Sequence, residues 1–106
     1  MPPPRQRLCI LGATGSVGAN TLDVAARHPD RFDVVALSAY SRVDLLFEQC
    51  VGARPRFALV RDAAQAQALA LRLKAAGLCT EVLYGAQALV DMAAHADVDT
   101  VMAAIV

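Results

Sequence analysis

There is no tryptophan in this chain, and only three phenylalanines and two tyrosines supply aromatic rings. A surface that stacks nucleic-acid bases on rings therefore lacks its raw material. An excess of one charge is missing too. Ten Lys and Arg balance ten Asp and Glu, and the nine arginines are scattered instead of clustered, which argues against a polyanion-binding stripe and against nucleic acid as a partner. Apolar runs such as Val101 to Val106 fall far below the ~18 residues a membrane span requires, and no segment has the layout of a signal peptide. The three cysteines, Cys9, Cys50 and Cys79, are odd in number, far apart and form no C-x-x-C. That usage fits a reducing compartment, read here as the cytoplasm, better than a disulfide or zinc framework.

What the chain has in quantity is aliphatic residues. Apolar types make up 57% of 106 residues, and beside 22 alanines there are 13 leucines and 12 valines, enough for the core of one domain and too short a chain for two. Met1 to Gln6, with three consecutive prolines, reads as a disordered lead-in, and residues 7–106 read as one folded unit.

Leu8-Cys9-Ile10-Leu11 is an apolar run without polar alternation, as expected of a parallel strand covered on both faces. A helix over Ser16 to about Arg27 follows, with Val17, Thr21, Val24, Ala25 and His28 at helical spacing and Pro29-Asp30 as its stop. Asp33 to Leu37 is a second strand. Ser41, with Asp44 three positions on, can cap a helix whose Val43, Leu46, Phe47, Cys50 and Val51 share one face. Phe57 to Val60 is a third strand, and Asp62 with Gln65 forms a capping box for an alanine-rich helix that turns Leu69 and Leu73 inward and ends at Gly77. Glu81 to Tyr84 is a fourth strand. A helix introduced by Gly85 carries Ala86, Leu89, Val90 and Ala93 on one face, and Thr100 to Val106 is the fifth strand. This alternation predicts an α/β fold: a Rossmann-like, doubly wound, mostly parallel sheet with helices on both faces. Ligands in such sheets bind outside the carboxyl ends of the strands.

The chemistry concentrates in Gly12-Ala13-Thr14-Gly15-Ser16-Val17-Gly18, which follows the first strand and opens the first helix. Gly12 lets the strand turn, Gly15 lets the backbone approach a pyrophosphate without a Cβ in the way, and Gly18 lets helix and strand pack closely. The amides of Gly15, Ser16 and Val17 are expected as orphan donors at a helix N-terminus, where the dipole also favours an anion. Thr14 and Ser16 add hydroxyls. The spacing G-x-x-G-x-x-G has one more residue in the turn than the dinucleotide fingerprint, and the bland alternative is a glycine-rich turn that binds nothing. At the end of the second strand an NAD-specific fold places a carboxylate. Here Ser38-Ala39-Tyr40-Ser41-Arg42 has none before Asp44, and the hydroxyls and the guanidinium suit a 2′-phosphate instead. Arg42 can equally be a solvated first-turn residue and Ser41 a helix cap.

Taken together, Leu11 to Gly18, Thr21 to Val24, His28-Pro29, Phe32 and Val35 to Leu37 resemble the amino terminus of the 1-deoxy-D-xylulose 5-phosphate reductoisomerases. The resemblance continues through Glu48 to Cys50, Pro55-Arg56, Thr80 to Leu83, Gly85, Asp91 to Ala94, Asp97 to Asp99 and Val101 to Val106. It implies an NADPH-dependent enzyme, homodimeric at full length, that uses Mg²⁺ or Mn²⁺ to convert the sugar phosphate 1-deoxy-D-xylulose 5-phosphate to 2-C-methyl-D-erythritol 4-phosphate in non-mevalonate isoprenoid synthesis. Carried over by position, it implies that Thr14, Gly15, Ser16 and Val17 cradle the phosphates. Tyr40, Ser41 and Arg42 then form the adenosine-end loop, and Ala103, Ala104 and Ile105 approach the cofactor.

Two departures stand out. Ala13 and Val17 replace Ser and Ile of the usual first turn, and Tyr40-Ser41-Arg42 replaces Gly, a polar or basic residue, and Asn. The resemblance also implies that metal ligands, substrate-phosphate ligands, the mobile lid and most of the dimer interface belong to a part of the enzyme beyond these residues. The chain is therefore expected to be an inactive, truncated cofactor-binding part with no catalytic or metal residue of its own. Asp91, Asp97 and Asp99 read as solvated charges, and His28 and His95 as helix-end residues. Two other readings stay open: the first domain of a semialdehyde or acyl-phosphate dehydrogenase, whose first turn is also Gly-Ala-Thr-Gly-x-Val-Gly, and a non-catalytic NADP-sensing module.

Overall fold

A computed structural model describes residues 5–103 of the chain. Five strands alternate with four helices: β1 (Gln6–Leu11), α1 (Ser16–Arg27), β2 (Phe32–Ser38), α2 (Val43–Ala53), β3 (Phe57–Val60), α3 (Ala63–Ala75), β4 (Glu81–Tyr84), α4 (Ala86–Ala93) and β5 (Thr100–Ala103). All strand pairs are parallel and the order is β4-β3-β2-β1-β5. The expected doubly wound α/β sheet is the one observed. Gln6, expected in the lead-in, instead pairs with Phe32 at the start of β1; residues 1–4 lie outside the described residues. Among those described, no helix is long and apolar enough to cross a membrane.

The strand order dictates where the helices go. The connections β1 to β2, β2 to β3 and β3 to β4 all step in one direction, so right-handed crossovers place α1, α2 and α3 on one face. The connection β4 to β5 steps back across the sheet and places α4 on the other. Side chains follow the period of two. Leu8, Ile10, Leu37, Ala58 and Val60 pack with Leu22, Leu46, Cys50, Leu69 and Leu73 of the three helices, while Cys9, Ala36 and Leu59 pack with Met92 of α4.

Element ends follow local chemistry. Asp62 caps α3 by accepting the Gln65 amide at 2.9 Å, as the capping box predicts. At its other end Gly77 adopts φ 77° and the Leu78 amide reaches the Leu73 carbonyl, a Schellman closure. Ser41 does not cap α2; Arg42 occupies the N-cap without a side-chain bond.

Two helix faces differ from the expected ones. On α1 the buried residues are Gly18, Leu22 and Ala25, while Val17 and Val24 are about half exposed, at 55% and 50%. Close approach at Gly18 turns the face that carries Leu22 and Ala25 toward the sheet. On α4 the inward residues are Ala88, Leu89 and Met92, and Val90 is exposed. Val51 of α2 is likewise exposed.

Candidate functional site

The first turn closes on itself through backbone and neighbouring side chains. Gly12 adopts φ 71°, a left-handed conformation that favours glycine. Its amide donates to Ser38 Oγ at 3.0 Å, and the Ala13 amide donates to the Ser38 carbonyl at 2.8 Å. From α2, Gln49 Nε2 donates to the Ala13 carbonyl at 2.7 Å. Two consecutive elements, β2 and α2, thus hold one turn.

The glycines divide by function. A Cβ on Gly18 would lie 2.2 Å from the Gly12 carbonyl oxygen and 2.7 Å from the Ala13 Cα, so glycine is required there by helix-on-turn packing. A Cβ on Gly15 would meet only the Gly12 oxygen at 3.5 Å, an ordinary contact, and Gly15 has a common φ of −75°. Nothing in the chain itself demands glycine at position 15. An approaching phosphate would, because a Cβ fills the space the cradle leaves open.

The amide inventory corrects one expectation. Gly15 is not an orphan, since its N–H bonds the Gly12 carbonyl at 3.1 Å. Among the described residues, the amides of Thr14, Ser16, Val17 and Gly18 find no acceptor, nor do the hydroxyls of Thr14 and Ser16. Gly15 as N-cap offers no side-chain oxygen to satisfy them. A helix start without a cap, open to solvent and flanked by hydroxyls, presents donors to an anion.

From Gly12 a cavity of about 410 Å³ runs across the carboxyl ends of β2, β3 and β4, lined by Ser38, Ala39, Tyr40, Leu59, Val60, Arg61, Gly85, Ala86 and Leu89. Of the loop expected to take the adenosine end, Tyr40 belongs to it, whereas Ser41 and Arg42 are exposed outside its lining. On the opposite side of β1, Ala103 pairs with Leu11, which puts the end of β5 beside the first turn where the strand order reverses. Ala104 and Ile105 lie outside the described residues. Sequence reasoning missed Arg61, Gly85, Ala86, Leu89 and Gln49. Only the strand order brings the first four to one cavity, and Gln49 carries only the faint signal of a polar residue one turn from buried Leu46 and beside buried Cys50.

Other candidates belong to the far end of the sheet or to the core. Asp97 and Asp99 are not freely solvated: Asp99 pairs bidentately with Arg7 at 3.1 Å, and Asp97 bonds Arg56 at 2.7 Å. These pairs join the amino ends of β1, β3 and β5. His95 ends α4 and its Nδ1 accepts the Asp97 amide at 3.0 Å. Among the described residues no three His, Cys, Asp or Glu are placed to hold a metal ion. All three cysteines are free. Burial pushes the Cys9 and Cys50 thiols up to about 11, so neither is a ready nucleophile, and exposed Cys79 lies before β4, away from the cleft.

Comparison with known proteins agrees with this geometry. The family model for 1-deoxy-D-xylulose 5-phosphate reductoisomerase matches residues 8–106. The curated enzyme of that name from Aromatoleum aromaticum is 61% identical across 99% of this chain and 26% of its own length. The one from Methylococcus capsulatus is 60% identical across 93% and 25%. Among solved structures, a DOX-P reductoisomerase in complex with NADPH, fosmidomycin and magnesium superposes with a TM-score of 0.88 at 39% identity, over 94% of this chain and 24% of that one. The Zymomonas mobilis reductoisomerase in complex with NADPH gives 0.84 at 37% identity, over 96% and 26%. The chain spans about a quarter of the length of the curated relatives it matches.

Proposed function

This chain belongs to the 1-deoxy-D-xylulose 5-phosphate reductoisomerase family, and from that premise we propose that it is the NADPH-binding portion of an enzyme converting 1-deoxy-D-xylulose 5-phosphate to 2-C-methyl-D-erythritol 4-phosphate. The observation that carries the proposal is the uncapped start of α1. Amides of Ser16, Val17 and Gly18 lack acceptors among the described residues beside a glycine the fold itself does not require. These amides, with the hydroxyls of Thr14 and Ser16, hold the pyrophosphate. Gly12 shapes the turn that carries them.

The cavity beyond Gly12 takes the adenosine half, with Tyr40 in its lining and Ser41 and Arg42 at its outer rim. The end of β5, with Ala103 and the following Ala104 and Ile105, borders the nicotinamide half. When bound, NADPH supplies hydride; the chain's part is to fix the cofactor's position and orientation, which is where a protein contributes most in such chemistry. The described residues do not fit a divalent metal, so no metal-dependent step is assigned to them.

The free thiols and balanced charge support a cytoplasmic enzyme, and the family resemblance supports a homodimer at full length with neither nucleic acid nor membrane as partner. The dehydrogenase alternative loses ground because the reductoisomerase family model matches residues 8–106. In a coupled absorbance assay, the full-length protein should oxidise NADPH only when 1-deoxy-D-xylulose 5-phosphate and Mg²⁺ or Mn²⁺ are both present. A folded sample that leaves NADPH unchanged under those conditions would overturn the proposal, while the 106 residues alone should show no turnover.

A further inference from the structure

The peptide unit that joins Ala13 to Thr14 is held differently from its neighbour in the turn. In the unit before it, the Gly12 carbonyl accepts the Gly15 amide at 3.1 Å and the Ala13 amide donates to the Ser38 carbonyl at 2.8 Å, so backbone groups engage both ends. In the Ala13–Thr14 unit only the carbonyl is engaged among the described residues, and by a side chain. Gln49 Nε2, on α2, donates to it at 2.7 Å, while the Thr14 amide has no acceptor.

Packing alone does not account for a glutamine at this position. Its Oε1 is buried and has no hydrogen-bond partner among the described residues, and an unsatisfied buried acceptor is destabilising. A carbonyl can only accept, so the contact with Ala13 fixes which way the side-chain amide faces and leaves Oε1 as the group without a partner. An apolar side chain of the same length, beside buried Leu46 and Cys50, would strand no such atom. The glutamine is explained by the donor it brings to the Ala13 carbonyl.

Peptide geometry says what that bond does. The unit is trans, and in a planar trans peptide the C=O and N–H point in opposite directions. Drawing the carbonyl toward α2 turns the Thr14 N–H away from it, next to Gly15, where the turn leaves room for a ligand. The same bond polarises the unit and makes its N–H a stronger donor. We propose that Gln49 is a positioning residue for the cofactor's pyrophosphate, aiming the Thr14 amide at it by way of the Ala13 carbonyl. This rests on the nucleotide-binding reading above and adds a donor to the amides of Ser16, Val17 and Gly18, one set by a side chain 36 residues from Ala13.

The test uses the full-length protein and the variant Gln49→Met, which keeps the length of the side chain and removes the donor and the stranded acceptor together. Its melting temperature should stay near wild type. In calorimetric titration NADPH and NADH should both weaken about fivefold, the scale of one hydrogen bond, and by the same factor, because the pyrophosphate is common to them. KM for NADPH should rise by that factor while kcat falls no more than about twofold. In the phosphorus NMR spectrum of bound NADPH, the two pyrophosphate signals should move and the 2′-phosphate signal should not. Gln49→Glu, of the same shape but without a donor when ionised, should weaken both cofactors at least as much. A Gln49→Met protein with wild-type affinity and unmoved pyrophosphate signals overturns the proposal and leaves the nucleotide site standing. So does a loss of affinity that only follows a loss of stability in the two variants, which is what a purely structural glutamine gives. A folded wild type that binds neither cofactor overturns both readings.

Discussion

The two ends of the parallel strands treat their polar groups in opposite ways. At the amino ends of β1, β3 and β5, Arg7, Arg56, Asp97 and Asp99 pair with one another, and the Arg7 and Asp99 backbones close the joint at 2.9 Å. At the carboxyl end of β1, amides and hydroxyls of the first turn have no acceptor among the described residues. Strand β1 is common to both statements, so the difference comes from what each end is for. One end ties neighbouring strands together with groups of opposite charge. The other holds donors in place by backbone geometry and leaves them available to an anion, a state tolerable only because they face solvent.

The sharpest way to break this comparison is at Gly18. Gly18→Ala drives a Cβ into backbone atoms of the turn, which cannot move aside as a flexible side chain would. Destabilisation of about 3 kcal/mol, at the upper end of overpacking costs, is expected in urea unfolding, with cofactor binding lost as well. Gly15→Ala is the contrasting case. The fold has room for the methyl group, so the unfolding midpoint should stay near wild type while NADPH affinity drops about tenfold in titration. Equal loss of stability and affinity would show that position 15 is structural.

The smallest effect is expected at the paired end. Hydrogen bonding from Arg7 holds the Asp99 carboxyl below its ordinary value of 3.8, and Arg56 does the same for Asp97. A carboxyl more acidic in the folded state than in the unfolded one stabilises the fold fully above the ordinary value, and that contribution disappears as pH falls through the depressed value. Asp99→Asn should therefore lower the melting temperature slightly at neutral pH, and the gap from wild type should close below pH 3.8. NADPH affinity at neutral pH should not change. A gap that persists in acid would mean that the ionised pair is not the stabilising feature.

Much of this was legible in the chain. Strand and helix order followed from apolar runs separated by Gly, Pro and capping residues, and the Asp62–Gln65 cap and the Gly77 stop formed where the pattern put them. The roles of Gly12 and Gly18 were legible because backbone sterics are local and a glycine there leaves few alternatives. The buried face of α1 was not. In an alanine- and valine-containing helix more than one stripe is apolar, and the contact at Gly18 selected Leu22 over Val17 and Val24, with the expected Ala25 kept inward.

Local sequence thus determined the elements, the glycine-rich turn and the family to which the chain belongs, because each depends on short-range backbone preferences or on residues adjacent in the chain. The cavity that joins Tyr40 to Arg61 and Gly85, and the pairing of Arg7 with Asp99, were decided only by tertiary structure. Those residues are far apart in the chain and meet through the order β4-β3-β2-β1-β5, a long-range outcome that no single window of sequence contains.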